Sequence, residues 1–132
     1  MASRSQGGMF TFAVSVLCVE DLDRSAAFYR DTLGQRVVRS DVNHMLFECG
    51  LEIHLGDVLL GYAYGDRPRH EGDWGRDNVA MMFRADDLDE AHARVSAVAT
   101  PIHPIRTEPW GERFFRVHDP DGHIVEFAAR AP

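Results

Sequence analysis

Residues 109–127 read PWGERFFRVHDPDGHIVEF, a pattern that predicts a strand, a tight turn and a final strand. The turn is DPDG at residues 119–122: proline presets φ at its second position, aspartate can bond nearby backbone, and glycine accepts the exit conformation. Because side chains alternate along a strand, Ile124 and Glu126 share one face while Val125 and Phe127 share the other, and Glu126 is a carboxylate inside an otherwise apolar strand. A carboxylate on a partly buried face needs solvent, a partner or a metal ion, so Glu126 is the first candidate functional residue.

The chain also contains an internal repeat. VEDLD at residues 19–23 matches ADDLD at residues 85–89, an offset of 66 positions (85 − 19) in a chain of 132. In each copy an aspartate is placed to cap a helix whose apolar residues follow at helical spacing. Strand-like runs surround both helices, at residues 11–19, 35–40, 44–49 and 51–55 and again at 79–85, 102–107, 113–117 and 123–128. The sequence therefore predicts an α+β fold of two βαβββ repeats, which form a curved, cup-like mixed sheet with the helices outside.

Length and composition predict one globular domain over residues 9–130, after a flexible leader at residues 1–8. Its two modules are expected at about residues 9–60 and 78–130, joined by a loop over residues 61–77 that is rich in Gly, Arg, Asp and His. No apolar run approaches the roughly 20 residues that span a bilayer, and the leader lacks the apolar segment of a secretory signal. These features predict a cytoplasmic protein with no membrane partner.

Composition excludes several classes of partner and chemistry. The formal net charge of −7 argues against nucleic-acid binding, which needs a basic face. Cys18 and Cys49 are too few for a disulfide framework and are expected to be free thiols in a reducing compartment. The sequence contains no Gly-x-Ser-x-Gly motif and no glycine-rich phosphate loop. A small molecule is the partner that this composition favours.

Three motifs along the chain belong together. VEDLDRSAAFY occupies residues 19–29, Leu33-Gly34 follows it, and the DPDG turn leads to Glu126-Phe127 near the end. Together they resemble the vicinal oxygen chelate superfamily, which holds glyoxalase I, extradiol dioxygenases, fosfomycin-resistance enzymes and bleomycin-resistance proteins. The resemblance covers residues 12–130 and implies the glyoxalase/bleomycin resistance fold.

One branch of this superfamily is the most similar. Pro109-Trp110-Gly111, with Arg113 and Phe114 close behind, resembles the bleomycin-resistance proteins. These proteins are homodimers that hold a cationic glycopeptide antibiotic in grooves at the dimer interface and perform no chemistry on it. The resemblance implies antibiotic resistance by sequestration and a homodimer whose paired cups form clefts. Whether a cup forms within one chain or between two stays open.

Enzymes of the superfamily hold a divalent metal ion through inward-facing side chains from equivalent strands of the two repeats. By resemblance, the four ligand positions fall at Val14, at His54, at Asn78 or Ala80, and at Glu126. Only His54 and Glu126 are good ligands among them, and two protein ligands seldom hold a transition metal. The expected arrangement is a hydrogen-bonded pair of His54 and Glu126 inside the cleft. A divalent metal held by this pair, with Glu52 joining from the same strand, is the alternative.

The aromatic residues suggest how a ligand would be held. Trp110 sits between proline and glycine in a loop, where it offers a rigid face for flat or cationic groups. Phe114, Trp74 and Tyr62 are expected to share this role, with Asn78 beside them. The leading interpretation is a metal-free binding protein that sequesters a cationic or aromatic compound in a dimer cleft. The alternative is a metal-dependent glyoxalase-like lyase, isomerase or dioxygenase with an atypical site, so whether the protein is an enzyme stays open.

Overall fold

Two β-sheets and three helices make up residues 8–130, the part of the chain that this computed structural model describes. In chain order the elements are β1 (Ser15–Val19), α1 (Leu22–Ala26, continued by a π-helical turn over Ala27–Thr32), β2 (Val37–Ser40), β3 (His44–Phe47), β4 (Leu51–Leu55), α2 (Gly56–Tyr64), β5 (Ala80–Ala85), α3 (Leu88–Ser96), β6 (Pro101–Thr107), β7 (Arg113–His118) and β8 (Ile124–Ala129). The order strand, helix, strand, strand, strand occurs twice, which confirms the predicted fold class. Apart from Gly8, the predicted leader lies outside the described residues.

Each module forms its own four-stranded sheet. The strand orders are β1-β4-β3-β2 and β5-β8-β7-β6. In both sheets the first strand runs parallel to the last, and the other pairs are antiparallel. The mixed sheet predicted from the sequence is therefore present as two sheets of identical topology, one from each repeat.

The repeated aspartates start the helices in the same way in both modules. The Asp21 side chain accepts a hydrogen bond from the Arg24 amide at 3.0 Å, and Asp87 accepts one from the Glu90 amide at the same distance. Each bond satisfies an amide that the first helical turn leaves without a partner. The repeat visible in the sequence is therefore a repeated N-cap. No helix within residues 8–130 has the length and apolar character needed to cross a membrane.

One hydrophobic core joins the two modules. Leu17 from the first sheet and Phe115 and Phe127 from the second are at most 6% exposed and belong to the same cluster. Alternate residues of these strands face away from the core, and we term these two surfaces the open faces. The first open face carries Val16, Cys18, His44, Leu46, Glu52 and His54; the second carries Met82, Arg84, Phe114, Arg116, Ile124 and Glu126. Val16 is 38% and Met82 45% exposed, so neither open face is fully covered by the described chain.

The predicted loop over residues 61–77 is in part helical. α2 begins at Gly56 directly after β4 and includes residues 61–64. The sequence conceals this helix because Gly56 and Gly61 are poor helix formers and no side chain caps its start. Gly56 has a packing reason instead: a Cβ there would lie 2.3 Å from the Trp74 ring. The remainder of the segment returns across the first module, and its Gly75 amide donates to the Asp121 carbonyl at 2.9 Å.

The DPDG turn, residues 119–122, fastens the second module to the first. The Asp121 carboxylate is 2% exposed and accepts hydrogen bonds from the Glu20 amide, the Arg24 guanidinium and the Ser25 hydroxyl at 2.9–3.1 Å. Asp119 accepts one from the buried Tyr29 hydroxyl at 2.5 Å. All these donors belong to the first module: Glu20 lies just before α1, and the others lie in α1 or its π-helical turn. The DPDG turn is therefore the contact that sets how the two modules are held relative to each other.

Candidate functional site

The second open face is organised around one arginine. Arg116 donates from Nε to Glu126 at 2.6 Å, from Nη2 to Glu108 at 3.2 Å and from Nη1 to the His103 ring at 2.9 Å. Its guanidinium also lies over the Phe114 ring, 4.9 Å from the centroid. With the Arg116 side chain 16% exposed and that of Glu126 22%, this network is sheltered from solvent. Glu126 is therefore charge-paired within its own chain, a partner that the sequence did not reveal.

A second arginine completes this network. Arg106 donates to Glu108 at 2.8 Å, and this hydrogen bond holds the pKa of the Glu108 carboxyl below its usual value, with Arg116 adding to the effect. Glu108 is consequently ionised at neutral pH. Two guanidinium groups thus face two carboxylates, and the polar part of the second open face is neutral as a unit.

An exposed aromatic edge borders this polar network. Trp110 is 60% exposed, and its ring meets that of Phe114 edge to face at 5.6 Å. Its indole N–H donates to Glu112 at 2.9 Å, and Glu112 in turn pairs with Arg84. Gly111, with φ of 100°, permits the tight turn that presents the ring. The structure therefore brings Trp110 and Phe114 together as a fixed aromatic platform beside Arg116.

The first open face carries histidines rather than arginines. His54 is 8% exposed, stacks on His44 with centroids 5.9 Å apart and meets the Tyr62 ring edge to face at 6.1 Å. Its Nδ1 donates to the Leu55 carbonyl at 3.0 Å, which fixes the ring in place. Tyr62 therefore does reach an open face, but it lies on the first sheet, whereas Trp110 and Phe114 lie on the second.

The expected hydrogen bond between His54 and Glu126 is not formed. His54 belongs to β4 and Glu126 to β8, in different sheets, and within residues 8–130 each is bonded to another group. The shared core contains helix residues such as Phe28 and Val95 together with strand residues of both sheets, and the open faces are the sides of the sheets that point away from it. A repeat in the sequence indicates which strands of the two modules are equivalent. It does not indicate which faces of the two sheets meet.

Two other predicted ligand-binding residues lie apart from the aromatic platform. Trp74 stacks on His70 with centroids 3.7 Å apart and packs over Gly56, and its indole N–H reaches Glu20 at 3.4 Å. Its faces are thus used in packing within the chain. Asn78 is exposed and precedes β5. The structure brings neither of them to Trp110.

Cys18 lies on the first open face opposite His54. Burial raises the pKa of its thiol, and the carboxylates of Asp121 and Asp57 raise it further. The thiol therefore stays protonated at neutral pH. Since the thiolate is the reactive form of cysteine, Cys18 is not placed to act as a nucleophile.

A cavity of about 420 Å³ lies at the seam between the modules, where residues of both line it. Leu33, Phe83 and Glu90 are among the residues that line it. Its Arg94 donates to the carbonyls of Asp31 and Thr32 at the end of the first helix. These bonds join α3 to α1, so we assign this region to module packing.

Comparison with known proteins identifies the family to which this architecture belongs. The sequence profile of the family described as Glyoxalase-like domain matches residues 12–130. The chain belongs to this family. Both repeats and the closing DPDG turn fall within the match, in agreement with the resemblance that the motifs suggested.

Individual relatives of this glyoxalase-like protein differ in what they do. A protein of unknown function from Agrobacterium tumefaciens str. C58 is 35% identical, with a TM-score of 0.86 over 94% of this chain and 96% of that one. A lactoylglutathione lyase from Haemophilus influenzae is 29% identical over 86% of this chain and 87% of its own length. A bleomycin resistance protein from Geobacillus stearothermophilus is 25% identical over 87% and 93%. An enzyme and a resistance protein are thus similarly related to this chain, so the site must decide between their functions.

Strand register identifies the true counterpart of Glu126 in this glyoxalase-like fold. The 66-residue offset relates Val16 in β1 to Met82 in β5 (82 − 16). Val16 pairs with Glu52, just as Met82 pairs with Glu126. Glu52 is therefore the residue equivalent to Glu126, and His54 lies one full side-chain alternation further along the strand. The sequence-based placement of the second ligand position at His54 is corrected to Glu52.

The remaining ligand positions do not fit a metal ion. The same offset relates Val14 to Ala80, which resolves the choice between Asn78 and Ala80 in favour of alanine. Neither valine nor alanine has a side-chain atom that can bind a metal ion. This holds whether the site forms within one chain or between two copies. Glu126 is already paired with Arg116, and within residues 8–130 no three His, Cys, Asp or Glu side chains come together as a metal site. The donor set lacks the nitrogen ligands that transition metals favour.

Proposed function

We propose that this glyoxalase-like protein binds a flat, cationic organic molecule and sequesters it without chemical conversion. The observation that carries the proposal is the Trp110–Phe114 platform, in which the exposed Trp110 ring is held against the buried Phe114 ring beside a polar network that is already neutral. An exposed tryptophan held by a hydrogen bond offers a stacking face at little entropic cost. Hydrophobic residues at two of the four metal-ligand positions support binding over metal-dependent catalysis.

We further propose that the protein acts as a cytoplasmic homodimer. Both open faces expose apolar side chains, among them Val16 at 38% and Met82 at 45%. Stacking the first open face of one copy on the second open face of its partner would cover these residues and enclose a cleft. Such an arrangement places Trp110 of one copy opposite the first open face of the other. The resemblance of Pro109-Trp110-Gly111 to the bleomycin-resistance proteins, which are homodimers, supports a dimer.

Calorimetric titration with metal-free bleomycin tests the proposal. We expect stoichiometric binding with no change in the recovered drug. Trp110→Ala should weaken binding by about 2 kcal/mol, roughly 30-fold in Kd, because the variant removes the central stacking surface. Tyr64→Ala is the matched control, since Tyr64 is an aromatic residue 74% exposed at the end of α2 and outside both open faces. Equal affinities for the Trp110 variant and the parent would contradict the proposal.

A second candidate function is a metal-dependent lyase or isomerase. It is favoured by the equivalence of Glu52 and Glu126 and by the similarity to a lactoylglutathione lyase. The test is metal analysis of the freshly purified protein, with substitution of both glutamates by glutamine. Near-stoichiometric nickel or zinc that disappears in the double variant would replace the binding proposal with this one. We expect no stoichiometric metal, because Val14 and Ala80 supply no donor atoms.

A further inference from the structure

One sheltered carboxylate in the described part of the chain lacks a partner. Among residues 8–130, the carboxyl side chains that are buried or half-buried are Glu20, Glu52, Asp57, Glu108, Glu112, Asp119, Asp121 and Glu126. All except Glu52 form a hydrogen bond or an ion pair there. A sheltered carboxylate without a partner is costly, so proteins seldom keep one unless something outside the chain binds it.

The two modules provide an internal comparison for Glu52. Its cross-strand neighbours are Val16 on one side and Leu46 on the other. The equivalent neighbours of Glu126 are Met82 and Arg116, and Arg116 neutralises it at 2.6 Å. Leucine thus stands in the first module at the place where the second module has its arginine.

No other cation of the described chain substitutes for this missing arginine. Arg39 lies in the same row of the sheet, but Leu46 separates it from Glu52 and no ion pair joins them. His54, two residues along the strand, already donates to the Leu55 carbonyl. The Glu52 carboxylate is left facing outward from a largely apolar surface, with the rings of His54 and Tyr62 to one side.

A second copy of the chain would not neutralise Glu52 either. If its second open face lay against the first, the guanidinium groups brought near would be those of Arg116, Arg84 and Arg106, and Arg106 is occupied by Glu108. Arg116 is occupied by Glu126 and Glu108, and Arg84 is occupied by Glu112. In this arrangement the Glu52 carboxylate is therefore free to pair with a cation that is not part of the protein.

We infer that Glu52 binds the positively charged group of the organic ligand and makes the protein selective for cations over neutral molecules of the same shape. The inference rests on the proposed function, and it adds a specificity residue on the sheet opposite the aromatic platform. Trp110 provides a stacking surface that flat molecules of any charge can use. Glu52 discriminates among them, because a carboxylate on an apolar surface favours a cation and penalises a neutral group that leaves it unpaired.

Two three-ring probes of the same outline test the inference by fluorescence titration. 9-Aminoacridine is a cation at neutral pH, whereas acridone is neutral. We expect the parent protein to prefer 9-aminoacridine, and Glu52→Gln to weaken that probe roughly tenfold or more while acridone affinity stays unchanged. Glu48→Gln is the matched control: it removes the same charge from an exposed glutamate that is paired with Arg36.

The outcomes separate this inference from the proposed function. If Glu52→Gln leaves 9-aminoacridine binding unchanged, or weakens both probes equally, Glu52 is not the cation subsite although the protein still binds flat molecules. If neither probe nor bleomycin binds the parent, the proposed function fails and the inference fails with it. Sedimentation velocity distinguishes binding from assembly: a change of oligomeric state in Glu52→Gln would trace its loss of binding to dimer assembly rather than to a cation subsite, and would overturn the inference.

Discussion

Gly75→Ala is expected to destabilise the protein by about 3 kcal/mol or more, at the upper end of what overpacking costs. A Cβ at this position would lie 2.1 Å from the Gly122 carbonyl oxygen and 2.2 Å from its carbon. Both of these atoms belong to the backbone, so no side-chain rotation relieves the clash. The alanine must therefore push the segment before β5 away from the DPDG turn and strain the hydrogen bond from the Gly75 amide to the Asp121 carbonyl.

Urea unfolding measures this loss, and Gly61→Ala is its control. Gly61 lies in α2, and nothing comes within 4 Å of a Cβ built there. The control should be unchanged or gain up to about 1 kcal/mol, since alanine is the better helix former. A loss below 1 kcal/mol in Gly75→Ala would show that the segment moves aside freely and does not hold the turn.

Asp121→Ala is expected to cost about 2–4 kcal/mol, because each sheltered hydrogen-bond donor left without an acceptor costs about 1–3 kcal/mol. The substitution strips the acceptor from the Glu20 amide, the Arg24 guanidinium and the Ser25 hydroxyl. The amide and the hydroxyl are then left without a partner at the junction of the modules. Asp23→Ala, an exposed position in the same helix, should stay within about 0.5 kcal/mol of the parent in the same urea titration.

The isosteric variant Asp121→Asn gives this site a pH signature. Burial raises the pKa of the Asp121 carboxyl above its ordinary value, although Arg24 opposes the rise. A carboxyl with a raised pKa in the folded state contributes stability at low pH and loses it as the pH rises through that pKa. The stability of the parent relative to Asp121→Asn should therefore fall as the pH increases above about 4. A gap that widens with pH would show that the Arg24 ion pair outweighs burial.

Both variants act on the contact that holds the modules together, and so they also bear on ligand binding. The DPDG turn connects β7 to β8, the strands that carry Arg116 and Glu126, and it rests on α1 of the other module. Loosening it changes how the second open face is held relative to the first. Reduced binding in these variants should therefore follow their loss of stability, whereas Trp110→Ala should lose binding with the fold intact.

The sequence by itself determined the fold. Asp21 and Asp87 mark two equivalent helix starts, and the DPDG turn marks the last hairpin; both signals are local, because capping and turn chemistry involve residues within a few positions of one another. Trp110, between proline and glycine, could likewise be placed in an exposed loop from its neighbours alone. The helix over Gly56–Tyr64 could not, since its glycines and missing cap conceal it.

Only the tertiary structure decided the chemistry of the site. The sequence predicts His54 as the partner of Glu126, but β7 places Arg116 beside that carboxylate, and strand register makes Glu52 rather than His54 its counterpart. Charge pairing between strands depends on which residues the register sets opposite each other, and local spacing carries no such information. For the same reason, Glu52 emerges as the unpaired charge only when its neighbours in space are known.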